Sequence, residues 1–292
     1  MPAIKQVSGA RPSKKKPLAI AIAAVVIALG AYLPYKMLTS PERYLKKAQR
    51  FEYSGERASA LTNYRKAAEA GSDVANLMVG DILRMGLAGE ADFPGAIAAY
   101  EKAAQAGRER ANFELGVIYL TGPPEVADPA KAAERFGLAA GKGVPQAIFN
   151  LGVMSAAGHG MGQDYEKAAE LWDTASKIGF NRARYFLAVS LATGWGVAQD
   201  PVKAFDLAQL AANDGLPQAK YLLGLLYGNG WGVPRSEESS LDWYERAAQD
   251  GCSSLDLSLV IVNWKGDPDF TPAAKSAPAA SPAPAPSPAP SP

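Results

Sequence analysis

Apolar and small side chains return three and four residues apart in short blocks along this chain. Each block closes on a glycine, and the blocks are copies of one another. The stretch 182–215, RARYFLAVSLATGWGVAQDPVKAFDLAQLAANDG, displays both kinds of block. Ala183 has counterparts at Ala75, Ala111, Ala147 and Ala219, each 36 residues from the next. A glycine five residues later recurs at Gly80, Gly116, Gly152 and Gly224, with Ala188 as the small substitute in the fourth copy. A second series, Gly86, Gly122, Gly158, Gly194, Gly230 and Gly266, keeps the same spacing, and so does a third, Gly71, Gly107, Gly143, Gly179, Gly215 and Gly251. The period predicts two short helices per unit. The first carries apolar residues at helical spacing and a stripe of small residues that admits a neighbour closely. The second starts behind Asp92, Asp128, Asp164, Asp200 or Ser236, whose side-chain oxygens suit the free N–H groups of a helix start. The third glycine series supplies the left-handed position that ends the second helix.

Neither helix of a unit buries its apolar face alone, so neighbouring pairs must stack into a solenoid. The pattern Ala-x-x-x-Leu-Gly-x-x-Tyr-x-x-Gly-x-Gly-Val-x-x-Asp-x-x-Lys-Ala, followed by an aromatic, Ala-Ala and Gly, resembles the Sel-one-like repeat (SLR), a longer relative of the tetratricopeptide repeat. The third copy carries it through Ala147, Leu151, Gly152, Gly158, Gly160, Asp164, Lys167, Ala168, Trp172 and Gly179. The fifth does so through Ala219, Leu223, Gly224, Tyr227, Gly230, Gly232, Val233, Tyr244, Ala247 and Gly251. Two copies depart from it: Pro123-Pro124 replaces the Gly-x-Gly turn in the second, and Ala208 stands for the aromatic in the fourth. The resemblance implies an all-α, right-handed α/α superhelical solenoid and a role as an assembly or signalling scaffold.

Outside the repeats the pattern changes. Residues 1–16 are basic, and 17–35 follow without a charge. As a helix those 19 residues span about 28 Å, close to a bilayer's hydrocarbon core of about 30 Å. Tyr32 and Tyr35 sit at the far end, where aromatics favour the interface. We read 17–35 as a transmembrane helix, with a cleavable signal peptide as the alternative and Ala28-Leu29-Gly30 as its small-residue cleavage region. Lys14–Lys16 abut the apolar run, which favours a cytoplasmic N-terminus and a solenoid outside the cytoplasm, the periplasm in the bacterial host that the resemblance implies; a cytoplasmic solenoid is the alternative. Residues 40–71 read as a tetratricopeptide-like capping hairpin, 73–251 as five repeats and 252–266 as a closing helix. Residues 267–292 read as a disordered Pro/Ala/Ser-rich tail whose composition favours polyproline II.

Charge and chemistry narrow the function. Ten of the 30 Lys and Arg lie in residues 1–50 beside one acid, Glu42, so 51–292 carry a net charge of −8, a poor surface for nucleic acid. His159 is the only histidine and Cys252 the only cysteine. Neither a His-based metal cluster, a zinc framework, an internal disulfide nor a Ser-His-Asp arrangement is built redundantly from them. His159 occupies the turn position held by Trp195 and Trp231 in other copies, and Cys252 starts the closing helix. The run Gly228–Val233 superficially resembles a phosphate-cradling loop, but its Gly-Trp-Gly-Val core recurs at 194–197, the structural period, and no strand precedes it. We expect no enzyme activity, no cofactor, no metal and no small-molecule substrate.

What remains is a surface for a protein partner, with membrane contact through 17–35. By analogy with tetratricopeptide solenoids, the first helices line the concave side. The series Leu77, Phe113, Phe149, Tyr185, Tyr221 and the series Val117, Val153, Val189, Leu225 then form a candidate partner-binding groove. Asp81, Arg84 and Asn229 stand beside it to supply selectivity. The competing reading makes these same residues interhelix core. A spacer between membrane and cell wall, or an accessory of a wall-modifying enzyme, is the alternative function.

Overall fold

The computed structural model describes residues 40–252. Residues 1–16, the apolar run 17–35, the tail 267–292 and all of 252–266 beyond Cys252 lie outside them. The described residues belong to two compact units divided in sequence between Ala91 and Asp92, and every regular element in them is a helix.

The first unit holds α1 (Pro41–Tyr53), α2 (Arg57–Glu69) and α3 (Asp73–Arg84). Ser40 Oγ accepts the Arg43 N–H and opens α1; Ser72 Oγ accepts the Ala75 N–H and opens α3. α1 packs on α2, and α2 on α3, through Ala48, Ala60, Tyr64 and Ala67, all buried. The Tyr64 hydroxyl donates to Glu52 at 2.6 Å, and Arg57 pairs with the same carboxylate at 3.1 Å. Burial, then the bond to Glu52, pushes the Tyr64 phenol well above its ordinary value.

The second unit runs from α4 (Phe93–Gln105) through α5 (Glu109–Thr121), α6 (Pro129–Ala140), α7 (Pro145–Ala157), α8 (Tyr165–Lys177), α9 (Asn181–Thr193), α10 (Pro201–Asn213) and α11 (Pro217–Asn229) to α12 (Glu237–Gln249). Each helix packs on the next in sequence, so α5–α6, α7–α8, α9–α10 and α11–α12 are successive hairpins of one stack. The two members of a hairpin differ in kind. On α9 every residue from Tyr185 to Ala192 is buried, which requires neighbours on all sides. On α10 only Ala204, Ala208, Ala211 and Ala212 are buried, a single stripe, while Val202 and Leu210 are exposed.

The N-cap series forms as the spacing predicts. Asp92, Asp128, Asp164, Asp200 and Ser236 each accept the N–H three residues on, at 2.8 to 3.1 Å. The glycines that end the second helices have φ from +80° to +96°. Beyond each of them the next N–H donates to a buried alanine carbonyl, Ala67, Ala103, Ala139, Ala175, Ala211 or Ala247. That is the Schellman closure. At Ser72, Arg108, Val144, Phe180 and Leu216 its last residue is also the N-cap of the following first helix, so two residues turn the chain around.

The turns inside the hairpins explain the Gly-x-Gly signature. Gly158, Gly194 and Gly230 end α7, α9 and α11 in the left-handed conformation. The second glycines, Gly160, Gly196 and Gly232, also have positive φ, and a methyl group on any of them would overlap the backbone of Pro129, Tyr165 or Pro201 in the preceding hairpin. Gly122 behaves differently, with φ −70° and ψ 173°. Pro123 disfavours the helical region for the residue before it, so this copy turns in extended backbone.

The helix glycines serve a different contact. A Cβ on Gly116, Gly152 or Gly224 would stand 2.6 to 2.7 Å from the rings of Phe136, Trp172 and Tyr244 respectively, each twenty residues downstream. The absent side chain is the space into which the aromatic of the second helix fits. In the fourth copy both partners differ together, with Ala188 for the glycine and Ala208 for the aromatic, and both are buried. A methyl group gained at 188 thus accompanies the loss of the ring at 208.

Candidate interaction surface

The nine residues of the two groove series and Asp81 beside them fall on the first helices. In the first unit, Leu77 and Asp81 lie on α3, and both are buried. In the second unit, Phe113 and Val117 lie on α5, Phe149 and Val153 on α7, Tyr185 and Val189 on α9, and Tyr221 and Leu225 on α11. The middle and the ends of this series differ. Phe149, Val153, Tyr185 and Val189 are buried, Phe149 and Tyr185 to 1% exposure. Phe113, Val117, Tyr221 and Leu225 are half-buried and present part of their surface to solvent.

Aromatic packing accounts for the difference. The Phe149 ring lies 5.2 Å from both Phe180 and Phe186, Phe186 lies 4.8 Å from Trp172, and Tyr185 meets Phe186 edge-on at 5.5 Å. These five rings tie α7, α8 and α9 together, each well-placed pair adding about 0.5–1.5 kcal/mol beyond the area it buries. At the α5 end Phe113 has one ring partner, Phe136 at 5.8 Å, and at the α11 end Tyr221 has Tyr244 at 4.8 Å. Burial, then the neighbouring Tyr221, raises the Tyr244 phenol above its ordinary value. The position of Phe186 is held by Glu114, Asn150 and Leu222 in other copies, and that of Phe180 by Arg108, Val144 and Leu216. Two extra aromatics in one copy were the available signal that the centre of the stripe is core.

Polar groups fix the helices that carry the stripe. Arg110 pairs with the buried Glu114 along α5 at 3.1 Å. Arg184 pairs with Asp214 at 2.6 Å and, 36 residues on, Lys220 with Asp250 at 2.5 Å. Each bond ties the start of a first helix to the end of its own second helix. Asn229 is exposed at the end of α11, its amide donating to the Leu225 carbonyl at 2.8 Å. His159 sits half-buried in the turn after α7, and Gly228–Val233 is the turn region that follows α11. The structure thus brings together a floor of fixed aromatics with partly open apolar positions at its two ends. Such an arrangement offers contact area and shape, and its open positions carry no titratable side chain other than the Tyr221 phenol.

Residues 57–72, 73–107, 109–144, 145–180, 181–216 and 217–252 match the family model described as Sel1 repeat. No curated protein matches the sequence. Among solved structures, the chain is similar to a protective antigen present in uropathogenic Escherichia coli strains and displaying an SLR fold, with a TM-score of 0.67 and 26% identity. That match covers 80% of this chain and 50% of the antigen, so the chain spans half the length of that relative. It is similar also to a Sel1 repeat protein from Oxalobacter formigenes, with a TM-score of 0.65, 25% identity and coverage of 71% and 85% respectively.

Proposed function

The chain belongs to the Sel1 repeat family, and from that membership we propose that it is a non-enzymatic scaffold that holds a partner protein on the stripe of its first helices. The family supports protein–protein interaction as the coarse role. The observation that carries the reading here is the pair of half-open apolar sites, Phe113 with Val117 and Tyr221 with Leu225, at equivalent positions of α5 and α11 on either side of the aromatic floor. Held on a packed stack, these side chains lose little freedom when a partner covers them, which favours recognition of a helical or extended segment. The 36-residue register runs through the stripe without a convergent polar constellation to break it, which favours a binding surface over an active site.

In this reading residues 17–35 anchor the scaffold in the inner membrane of a bacterium and the repeats lie in the periplasm. The uncharged run and the Lys14–Lys16 cluster support the anchor and its orientation, and the bacterial sources of both similar structures support the host. Among the described residues no helix is long and apolar enough to cross a membrane.

The test pairs two double variants in the native host. Val117→Asp with Leu225→Asp should abolish recovery of the crosslinked partner with the protein while its helical circular dichroism is kept. Leu138→Asp with Leu210→Asp, on exposed positions of α6 and α10, should leave recovery unchanged. Equal recovery from both variants would refute the groove.

A further inference from the structure

A second surface lies on α1, in the first unit. Its basic residues Arg43, Lys46, Lys47 and Arg50 follow one another at i, i+3, i+4 and i+7, the spacing that sets them on one face of a helix. All four are exposed. The other side of α1 carries the buried Ala48 and the half-buried Tyr44, Leu45 and Phe51, and α1 packs on α2. That packing fixes the direction in which the basic face looks.

The acids of α1 do not neutralise the stripe. Glu52 pairs with Arg57 and accepts the Tyr64 hydroxyl, and Glu42 stands at the edge of the stripe in the first turn. Among the described residues no carboxylate pairs with Lys46, Lys47 or Arg50, and the Lys47 ammonium lies 5.8 Å from the centre of the Phe51 ring. Tyr53, three residues beyond Arg50, is 97% exposed. A ring with a polar tip, open to this degree beside a row of cations, suits the boundary between water and an apolar phase. Residues 51–292 carry a net charge of −8, so α1 is the part of the described chain that an anionic surface attracts.

We propose that the α1 stripe lies on anionic phospholipid headgroups, with Arg43, Lys46, Lys47 and Arg50 at the level of the phosphates and the Tyr53 ring at the interface. Position in the chain favours lipid over an acidic protein. Five residues, 36–40, separate α1 from the uncharged run 17–35, at most roughly 20 Å of extended chain. With that run in a bilayer, α1 starts within reach of the headgroups. This step rests on the anchor proposed above; the charge and exposure of the stripe do not. The apolar side of α1 is engaged by α2, so the helix does not insert, and the contact is electrostatic. Each basic side chain held at an anionic surface strengthens such attachment about fivefold.

Fluorescence of the full chain reconstituted in vesicles tests it. In a Cys252→Ser background, Ser54→Cys carries an NBD fluorophore at an exposed position four residues past Arg50, on the side of the stripe. The vesicles are phosphatidylcholine alone, or phosphatidylcholine with a quarter of phosphatidylglycerol. The emission should shift to the blue in the anionic vesicles and not in the neutral ones. The shift should fade in about 0.5 M salt, where the Debye length is roughly 4 Å. Lys46→Gln with Lys47→Gln and Arg50→Gln, which keep helix propensity at exposed positions, should lower the ratio of attached to detached α1 roughly a hundredfold and remove the shift. Lys46→Arg with Lys47→Arg should keep it, and helical circular dichroism checks the fold of each variant. Flotation on the neutral vesicles reads the anchor separately, because a chain that fails to float there lacks the anchor while its stripe still answers to the anionic vesicles. Equal emission in the two kinds of vesicle, or a shift that the triple Gln variant retains, would overturn the proposal. So would a shift that grows with the ratio of protein to lipid, which would place an acidic face of a second copy on the stripe.

Discussion

A glycine in this chain answers one of three demands, and substitution separates them. Gly215 has φ +87° with open space where a Cβ would stand, so Gly215→Ala should cost only the left-handed penalty, about 1–2 kcal/mol. Gly196 combines φ +71° with the Tyr165 backbone against it, so Gly196→Ala must also displace the neighbouring hairpin. Its cost should exceed that of Gly215→Ala by a further 1–3 kcal/mol or so, the usual range for overpacking. Urea unfolding of the two variants checks the order, and equal costs would show that the turn does not hold the hairpins together. Gly152 is helical, and its demand is the Trp172 ring. Gly152→Ala should be markedly less costly in a Trp172→Ala background, with a coupling of about 0.5–3 kcal/mol in a double-mutant cycle.

At the scale of the helix, termini are set by side chains that act within a turn of the chain. Asp164 accepts the Lys167 N–H at 2.9 Å, and Asp164→Ala should destabilise by about 1 kcal/mol, measured by urea unfolding. Asp128 adds a titration. The Lys131 backbone N–H, then its ammonium, hold the Asp128 carboxyl below its usual 3.8. A depressed carboxylate contributes stability above the unfolded value and loses it as pH falls through the folded one. The melting-temperature gap between wild type and Asp128→Ala should therefore be full at neutral pH and shrink below about pH 4. Interactions of this kind are legible in sequence because one residue type at one spacing performs them. The five N-caps, the terminal glycines and the 36-residue register could all be read from Asp92, Gly71, Ala75 and their copies. The exposure of the stripe could not. Whether Phe149 is open or covered depends on Phe180 and Phe186, which come from another helix and its entry. The 36-residue period that placed Phe113 and Phe149 in one series says nothing about what packs over each. The fit of Gly152 to Trp172 also crosses between helices, and its trace in the sequence was the paired departure at Ala188 and Ala208.

At the scale of the whole molecule, an uncharged run at 17–35, a helical repeat surface and a Pro-rich stretch at 267–292 share one chain. Location is checked by fusing a reporter after Gly266. Alkaline phosphatase activity in a membrane-retained product is expected, with a cytoplasm-active fluorescent protein dark at the same junction. The reverse pair would move the repeats to the cytoplasm and with them the search for a partner. The central claim is that the first helices of the repeats hold another protein, and site-specific photocrosslinking in living cells tests it most directly. With p-benzoylphenylalanine placed singly at Phe113, Val117, Tyr221 and Leu225, and at Leu138 and Leu210 on the second helices, the account predicts one discrete adduct shared by the first four positions and absent from the last two. An adduct formed equally from Leu138 and Leu210, or none from any of the four stripe positions, would contradict it.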